Sequence, residues 1–241
     1  STPTSAKIIL NNPTSNSTTG LFHRLSTIGI IGINMYISYI KTQYYLLHLT
    51  YIYLIFLTSE AWTPKKIFLT SGKGVHKEKL ASFELALREA GIEALNLISV
   101  SSILPPHCDF ISREEGVSML NLGQVVPVVL ARMESKEPNQ IVSSGVGVAV
   151  PSDGNHHGYL SEHHAIGMNS VKMEDYVEDL AAEMLATTYG LKFDPHASWD
   201  EKREIWSIDN RIVKTQSVVQ IAKTSDEKLW TTVISAAVLI I

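Results

Sequence analysis

At 241 residues, with 45% hydrophobic and 18% charged side chains, the chain can bury the core of one ordinary domain with an appendage. A net charge of −4 supplies no basic field for nucleic acid. A single cysteine, Cys108, excludes an internal disulfide framework and any multi-cysteine metal site, and reads as a small buried or half-buried apolar residue.

Charge is spread unevenly along the chain. Residues 1–59 contain no Asp or Glu, and their only permanent charges are Lys7, Arg24 and Lys41. The other 17 basic residues and all 24 acidic ones lie in 60–241, a balance of −7. Two compositions meet near Trp62–Pro64, which makes 1–62 an N-terminal extension and 63–241 the organised domain.

Within the extension, 1–20 is rich in Ser, Thr, Asn and Pro and reads as disordered. Residues 25–40 and 44–57 are apolar runs separated by Lys41-Thr42-Gln43, each short of the roughly 20 residues that span a bilayer. The second run has neither clean helical nor clean strand periodicity. Three readings stay open here: a membrane anchor or hairpin, a targeting sequence, or an extension outside any folded domain, such as a misplaced start.

From Pro64 the pattern becomes mixed α/β. Ile67–Thr70 predicts a short strand ended by a glycine turn, Ser71-Gly72-Lys73-Gly74; the spacing of a phosphate loop is missing. Residues 77–90 predict a helix with Leu80, Phe83, Leu87 and Ala90 on its apolar stripe and Gly91 at its end. Glu84 stands beside that stripe, where periodicity alone suggests a solvated flank charge. A strand over Leu95–Val100 puts Asn96, Ile98 and Val100 on one face. It runs into Ser101-Ser102-Ile103-Leu104 and is stopped by Pro105-Pro106. Further strands are predicted at 125–133, 140–150, 157–162, 213–222 and 229–241. Between them a helix runs from Met173 to Thr188, with Val177, Leu180, Met184 and Leu185 inward and Gly190 as its cap. Strand runs with two helices set apart imply an α+β domain.

The run Asn96-Leu97-Ile98-Ser99-Val100-Ser101-Ser102-Ile103-Leu104-Pro105-Pro106 resembles the processing segment of pyruvoyl-dependent arginine decarboxylases. Ser82–Leu87 before it, Gly158-Tyr159-Leu160-Ser161-Glu162 after it, and Leu229–Ala237 at the end are similar too, in the same order over about 65–241. The resemblance implies a four-layer αββα sandwich of the pyruvoyl-dependent histidine/arginine decarboxylase type. It implies a homotrimer with active sites at subunit boundaries, and a chain self-cleaved between Ser101 and Ser102. It lends nothing to residues 1–62.

The chemistry behind such a motif is simple. A serine hydroxyl can attack the preceding carbonyl, turning amide into ester; elimination then cuts the chain and leaves a residue that becomes pyruvoyl. Ser102 would be that residue and Ser101 its cleavage partner. The reaction needs a strained backbone and an oxyanion donor, for which Asn96 is the candidate. By the same resemblance the pyruvoyl group, the only cofactor implied, forms an imine with the substrate, and Glu162 returns a proton after carbon dioxide leaves. Glu84 matches the family's acidic position and would meet the guanidinium of L-arginine, with Ile103 bordering the pocket. The expected reaction is L-arginine to agmatine and carbon dioxide, in the cytoplasm for the catalytic domain, with membrane attachment through 25–57 left open.

His156-His157 and His163-His164 are adjacent pairs whose rings fall on opposite strand faces, so they predict no metal site. Ser102 has no G-x-S-x-G elbow around it, which argues against a hydrolase nucleophile. The rival functions are the same chemistry on histidine or lysine, and an uncleaved, non-catalytic, membrane-associated oligomer.

Overall fold

The computed structural model describes residues 17–60, 62–190 and 212–241, with side chains placed over 32–55, 62–190 and 215–241. The described residues divide into two units, 1–61 and 62–241.

In the first unit a single helix, α1, runs from Ser17 to Glu60. The two apolar runs are therefore one helix, and the hairpin reading is overturned. Lys41-Thr42-Gln43 does not break it because Thr42 donates to the Ser38 carbonyl at 2.9 Å, as Thr50 does to Leu46 at 2.8 Å. Mixed Tyr, Thr and Leu content hid its period: side chains over 32–55 are exposed on every side. Among the described residues, no helix is long and apolar enough to cross a membrane. The expectation of disorder over 1–20 falls outside the described residues for 1–16, whereas 17–20 are helical.

The second unit is α+β, with two sheets. In chain order come β1 (Lys66–His76), α2 (Lys79–Ala90), β2 (Asn96–Ser99), β3 (Ile103–Leu104), β4 (Asp109–Phe110) and α3 (Arg113–Ser118). Then follow β5 (Val125–Ser135), β6 (Ile141–Pro151), β7 (Gly158–Ile166), α4 (Ser170–Thr188), β8 (Ile212–Lys223) and β9 (Trp230–Ile240). A five-stranded sheet is ordered β2-β5-β9-β1-β4, and a four-stranded one β3-β7-β6-β8. The longest ladder is antiparallel, Lys66–His76 of β1 against Ile240–Trp230 of β9.

Three apolar clusters hold this unit together. Phe68, Ala86, Ala90, Val126, Val128, Ile234, Ala236 and Val238 join α2 to the five-stranded sheet. Ile67, Val129, Ala131, Val146, Val148, Leu160, Ala237 and Leu239 join the two sheets. Ala149, Ala181, Leu185 and Ala186 join α4 to the four-stranded sheet. Alternate residues of β9 thus serve two clusters, which is why its sequence reads as one unbroken apolar run.

Two local expectations are corrected. The Ser71–Gly74 segment is no turn but the middle of β1. A Cβ at Gly72 would sit 2.2 Å from the Ala86 carbonyl oxygen, and one at Gly74 would sit 2.1 Å from that of Ser82, so the glycines admit α2 onto the strand. The inward face of α2 is Ser82, Ala86 and Ala90; Leu80 is 76% exposed, and Phe83 and Leu87 only flank the cluster. Small side chains face inward because the helix lies too close for large ones. In α4 likewise the buried set is Met173, Val177, Ala181, Ala182, Leu185 and Ala186, with Leu180 and Met184 half-buried. This helix begins at Ser170, capped by Asn169, whose side chain accepts from the Lys172 N–H at 3.0 Å.

Candidate active site

The Ser-Ser pair lies where the chain passes from one sheet to the other. Strand β2 runs parallel to β5, Asn96 opposite Val125 through Ser99 opposite Val128, and one more hydrogen bond carries this past the ladder: Val100 N–H to Val128 O at 3.1 Å. Three residues on, the chain is in the other sheet. Ser102 O accepts from Leu160 N–H at 2.8 Å, and Ile103 and Leu104 pair with Tyr159 and Gly158. The 101–102 peptide bond is thereby suspended between two fixed anchors, and the prolines that follow keep β3 to two residues.

The anchors are themselves held. Leu104 is buried in the cluster between the sheets. Gly158 is required opposite it, because a Cβ there would lie 2.4 Å from the Ala149 carbonyl oxygen and 3.0 Å from Leu104 Cδ2. Leu160 is fully buried, and next to it the buried Ser161 hydroxyl donates to the Val177 carbonyl of α4 at 2.5 Å. None of Val128, Gly158, Leu160 and Ser161 was singled out for this role from sequence. Only the adjacency of Gly158 and Ser161 to Glu162 in the family-like stretch could have signalled them.

Around this crossover, strand geometry decides which predicted residues meet. Leu97 packs toward α2, so Asn96, Ile98 and Val100 take the opposite face of β2. Glu162 lies two residues beyond Leu160, on the face of β7 turned toward the five-stranded sheet. The structure therefore brings Ser101, Ser102, Ile103 and Glu162 to one edge. Glu162 is exposed there, beside the partly exposed Ile98, Val100, Ile103 and Ile166.

Asn96 and Glu84 are not part of that grouping within one chain. Asn96 stands at the far end of β2, where Nδ2 donates to the Gly123 carbonyl at 2.7 Å. Five residues of extended chain, roughly 16 Å, separate it from Ser101. Glu84, on α2, pairs with Arg88, Nε to Oε1 at 2.6 Å.

The remaining candidates are accounted for by their contacts. His156 Nδ1 lies 2.6 Å from Asp153 Oδ2, and the Asp153 carboxyl is held below its ordinary range chiefly by the Asn155 backbone N–H. His163 stacks on Tyr176, and burial, then the neighbouring His164, lowers its pKa. Cys108 is half-buried, its thiol pushed up to about 11 by burial and then by Asp109. Among the described residues, no group of three or more His, Cys, Asp or Glu side chains could hold a metal ion.

With this geometry in place, comparison with known proteins is informative. Residues 66–241 match the sequence profile of the family described as pyruvoyl-dependent arginine decarboxylase (PvlArgDC). The chain is 50% identical over 179 residues to a probable pyruvoyl-dependent arginine decarboxylase of Chloroherpeton thalassium, covering 74% of this chain and 98% of that protein. A protein of the same description from Chlorobium luteolum is 48% identical over 180 residues, 75% of this chain and 99% of the relative. The pyruvoyl-dependent arginine decarboxylase 2 of Methanosarcina mazei is 48% identical over 177 residues, 73% and 97% respectively.

Proposed function

Because the chain belongs to the pyruvoyl-dependent arginine decarboxylase family, we propose that it cuts itself between Ser101 and Ser102 and decarboxylates L-arginine to agmatine. The observation that carries this reading is the crossover: the bond to be cut is the one stretch of this edge held from both sides and paired on neither. Ser102 Oγ attacks the Ser101 carbonyl carbon, and the amide nitrogen takes up a proton as the ester forms. Elimination breaks the Ser102 Cβ–Oγ bond, leaving a carboxylate on Ser101. The unsaturated residue at 102 then exchanges its nitrogen for a water oxygen, releasing ammonia.

The site suits the group so made. Among the described residues no hydrogen bond involves the Ser102 N–H, so a ketone in its place forfeits none, while the Ser102 carbonyl keeps its bond from Leu160. The pyruvoyl group supplies an electron-withdrawing carbonyl for the α-amine of the substrate. Glu162, presented by β7 beside it, is assigned to hold a proton and deliver it to the substrate α-carbon. An acid that must stay protonated near neutral pH needs apolar enclosure, and Ile98, Val100 and Ile103 form one side of such an enclosure. Glu84 is assigned to the guanidinium, met by a carboxylate in a two-point geometry, and Ile103 to the pocket wall.

We read the second unit as a four-layer αββα sandwich, supported by the three clusters that join α2, the two sheets and α4 in series. A trimer with sites at its boundaries is supported by the partly exposed apolar side chains around Glu162 and by the distance between Asn96 and Ser101 along β2. In such an assembly Asn96 steadies the oxyanion on a neighbouring copy. The domain is taken as 63–241 and the extension as 1–62.

Intact-mass spectrometry tests the proposal. Wild-type protein should resolve into 1–101 and a 102–241 fragment lighter at its first residue by the change from serine to pyruvoyl. Ser102→Ala should remain whole. Glu162→Gln should be cut yet turn over arginine at least tenfold more slowly in a carbon dioxide release assay. An uncut wild-type chain that still decarboxylates arginine overturns the reading, and parallel assays with lysine and histidine test the substrate.

A further inference from the structure

The carboxylate assigned to the substrate's guanidinium already holds a guanidinium of the chain's own. Arg88 follows Glu84 by one helical turn and brings Nε to 2.6 Å from Oε1. Arg88 and Glu84 side chains keep 63% and 43% of their full exposure, so nothing in this chain seals the pair from solvent. A guanidinium is held best when two parallel N–H groups meet both oxygens of one carboxylate. Arg88 engages one oxygen through the inner nitrogen of its fork. An arriving guanidinium that takes both oxygens has to displace Arg88 from Oε1, and one that takes only Oε2 sits beside a like charge. Either way Arg88 opposes binding.

We propose that Arg88 is an affinity-setting residue, an internal stand-in for the substrate's guanidinium that keeps Glu84 paired between turnovers and raises the substrate concentration needed to fill the site. The inference rests on the reading of Glu84 as the substrate's carboxylate. It adds a residue acting through Glu84, with no contact to the reacting carbon. The pair is exposed and spaced i,i+4, a class whose strength is slight, so displacement is easy and the effect modest. The helix does not need the Arg88 side chain for its end, because it is the Arg88 backbone carbonyl that accepts from Gly91 N–H.

The test compares cleaved wild-type enzyme with Arg88→Met, Arg88→Lys, Glu84→Gln and the Glu84→Gln/Arg88→Met double variant, measuring kcat and KM for arginine and the inhibition constant of agmatine. In Arg88→Met, KM and the agmatine constant should both fall about two- to threefold, the size expected of such a pair, while kcat changes less. Arg88→Lys should return both toward wild type. In the Glu84→Gln background, where KM is already raised, removing Arg88 should change nothing further. If Glu84→Gln raises KM but Arg88→Met leaves it unchanged or raises it, the stand-in role is wrong and the Glu84 assignment survives. If Glu84→Gln leaves KM unaltered, the premise fails and the proposal goes with it.

Discussion

Gly158→Ala places one methyl group at the junction that holds the cleavage segment, and its consequence can be worked from the structure. The new Cβ would lie 2.4 Å from the Ala149 carbonyl oxygen, about 1 Å inside ordinary contact, which begins at 3.4 Å. It would also press on Leu104 Cδ2 at 3.0 Å. The Ala149 carbonyl belongs to the ladder of β6 with β7 and cannot swing away, so the strain passes to β7 and β3. Overpacking of this kind costs about 1–3 kcal/mol. If that strain loosens the Leu160–Ser102 hydrogen bond, self-cleavage should slow by about tenfold or more, since each 1.4 kcal/mol or so is a factor of ten in rate. The assay follows the appearance of the 102–241 fragment from freshly folded precursor by mass spectrometry. Gly74→Ala serves as the control: its Cβ would meet the Ser82 carbonyl oxygen at 2.1 Å, an overlap at least as severe but located under α2. Gly74→Ala should lower the melting temperature and leave the cutting rate of the folded fraction near wild type. Equal cutting rates for Gly158→Ala and wild type, both folded, would refute the claim that the β3–β7 junction positions the reacting bond.

Two further outcomes concern charge. Burial favours a protonated Glu134, but hydrogen bonds from Lys79 and Arg132 outweigh it and hold the carboxyl below its ordinary 4.5. A carboxylate depressed in the folded state stabilises above its unfolded value and loses that contribution as pH falls through the folded one. Glu134→Gln should therefore cost up to about 1 kcal/mol at pH 7, and the difference from wild type should shrink below pH 4.5 in urea titrations. His163 should titrate below 6.5 by NMR, and His164→Gln should move it part of the way back, because burial is the larger cause.

What could be read in advance divides along physical lines. Long strands such as β6 and β9, and the helix α4, carry enough periodic or continuous apolar character to declare themselves. Strand β1 was cut short because Gly72 and Gly74 are turn-formers by local preference, and their purpose, admitting a helix backbone, exists only in three dimensions. The inward face of α2 was misjudged for the same reason, since close approach selects Ser82 and Ala86 over Leu80. The two-residue strands β3 and β4 and the six-residue α3 are too brief to show a period. At the site, Ser102 and Glu162 were legible through family likeness alone. That Leu160 is the residue grasping Ser102 depends on β7 register, which no local pattern encodes.

The interleaved order of the five-stranded sheet governs what happens after the backbone is severed. Strand β1, from the first fragment, lies between β9 and β4, both from the second. The products are thus woven together and cannot drift apart as spent propeptides do. Unfolding the mature protein would release two separate polypeptides, and recovering it would require them to find one another. Renaturation yield should then rise with protein concentration for the processed form, whereas the unprocessed Ser102→Ala chain should fold each subunit at a rate independent of it.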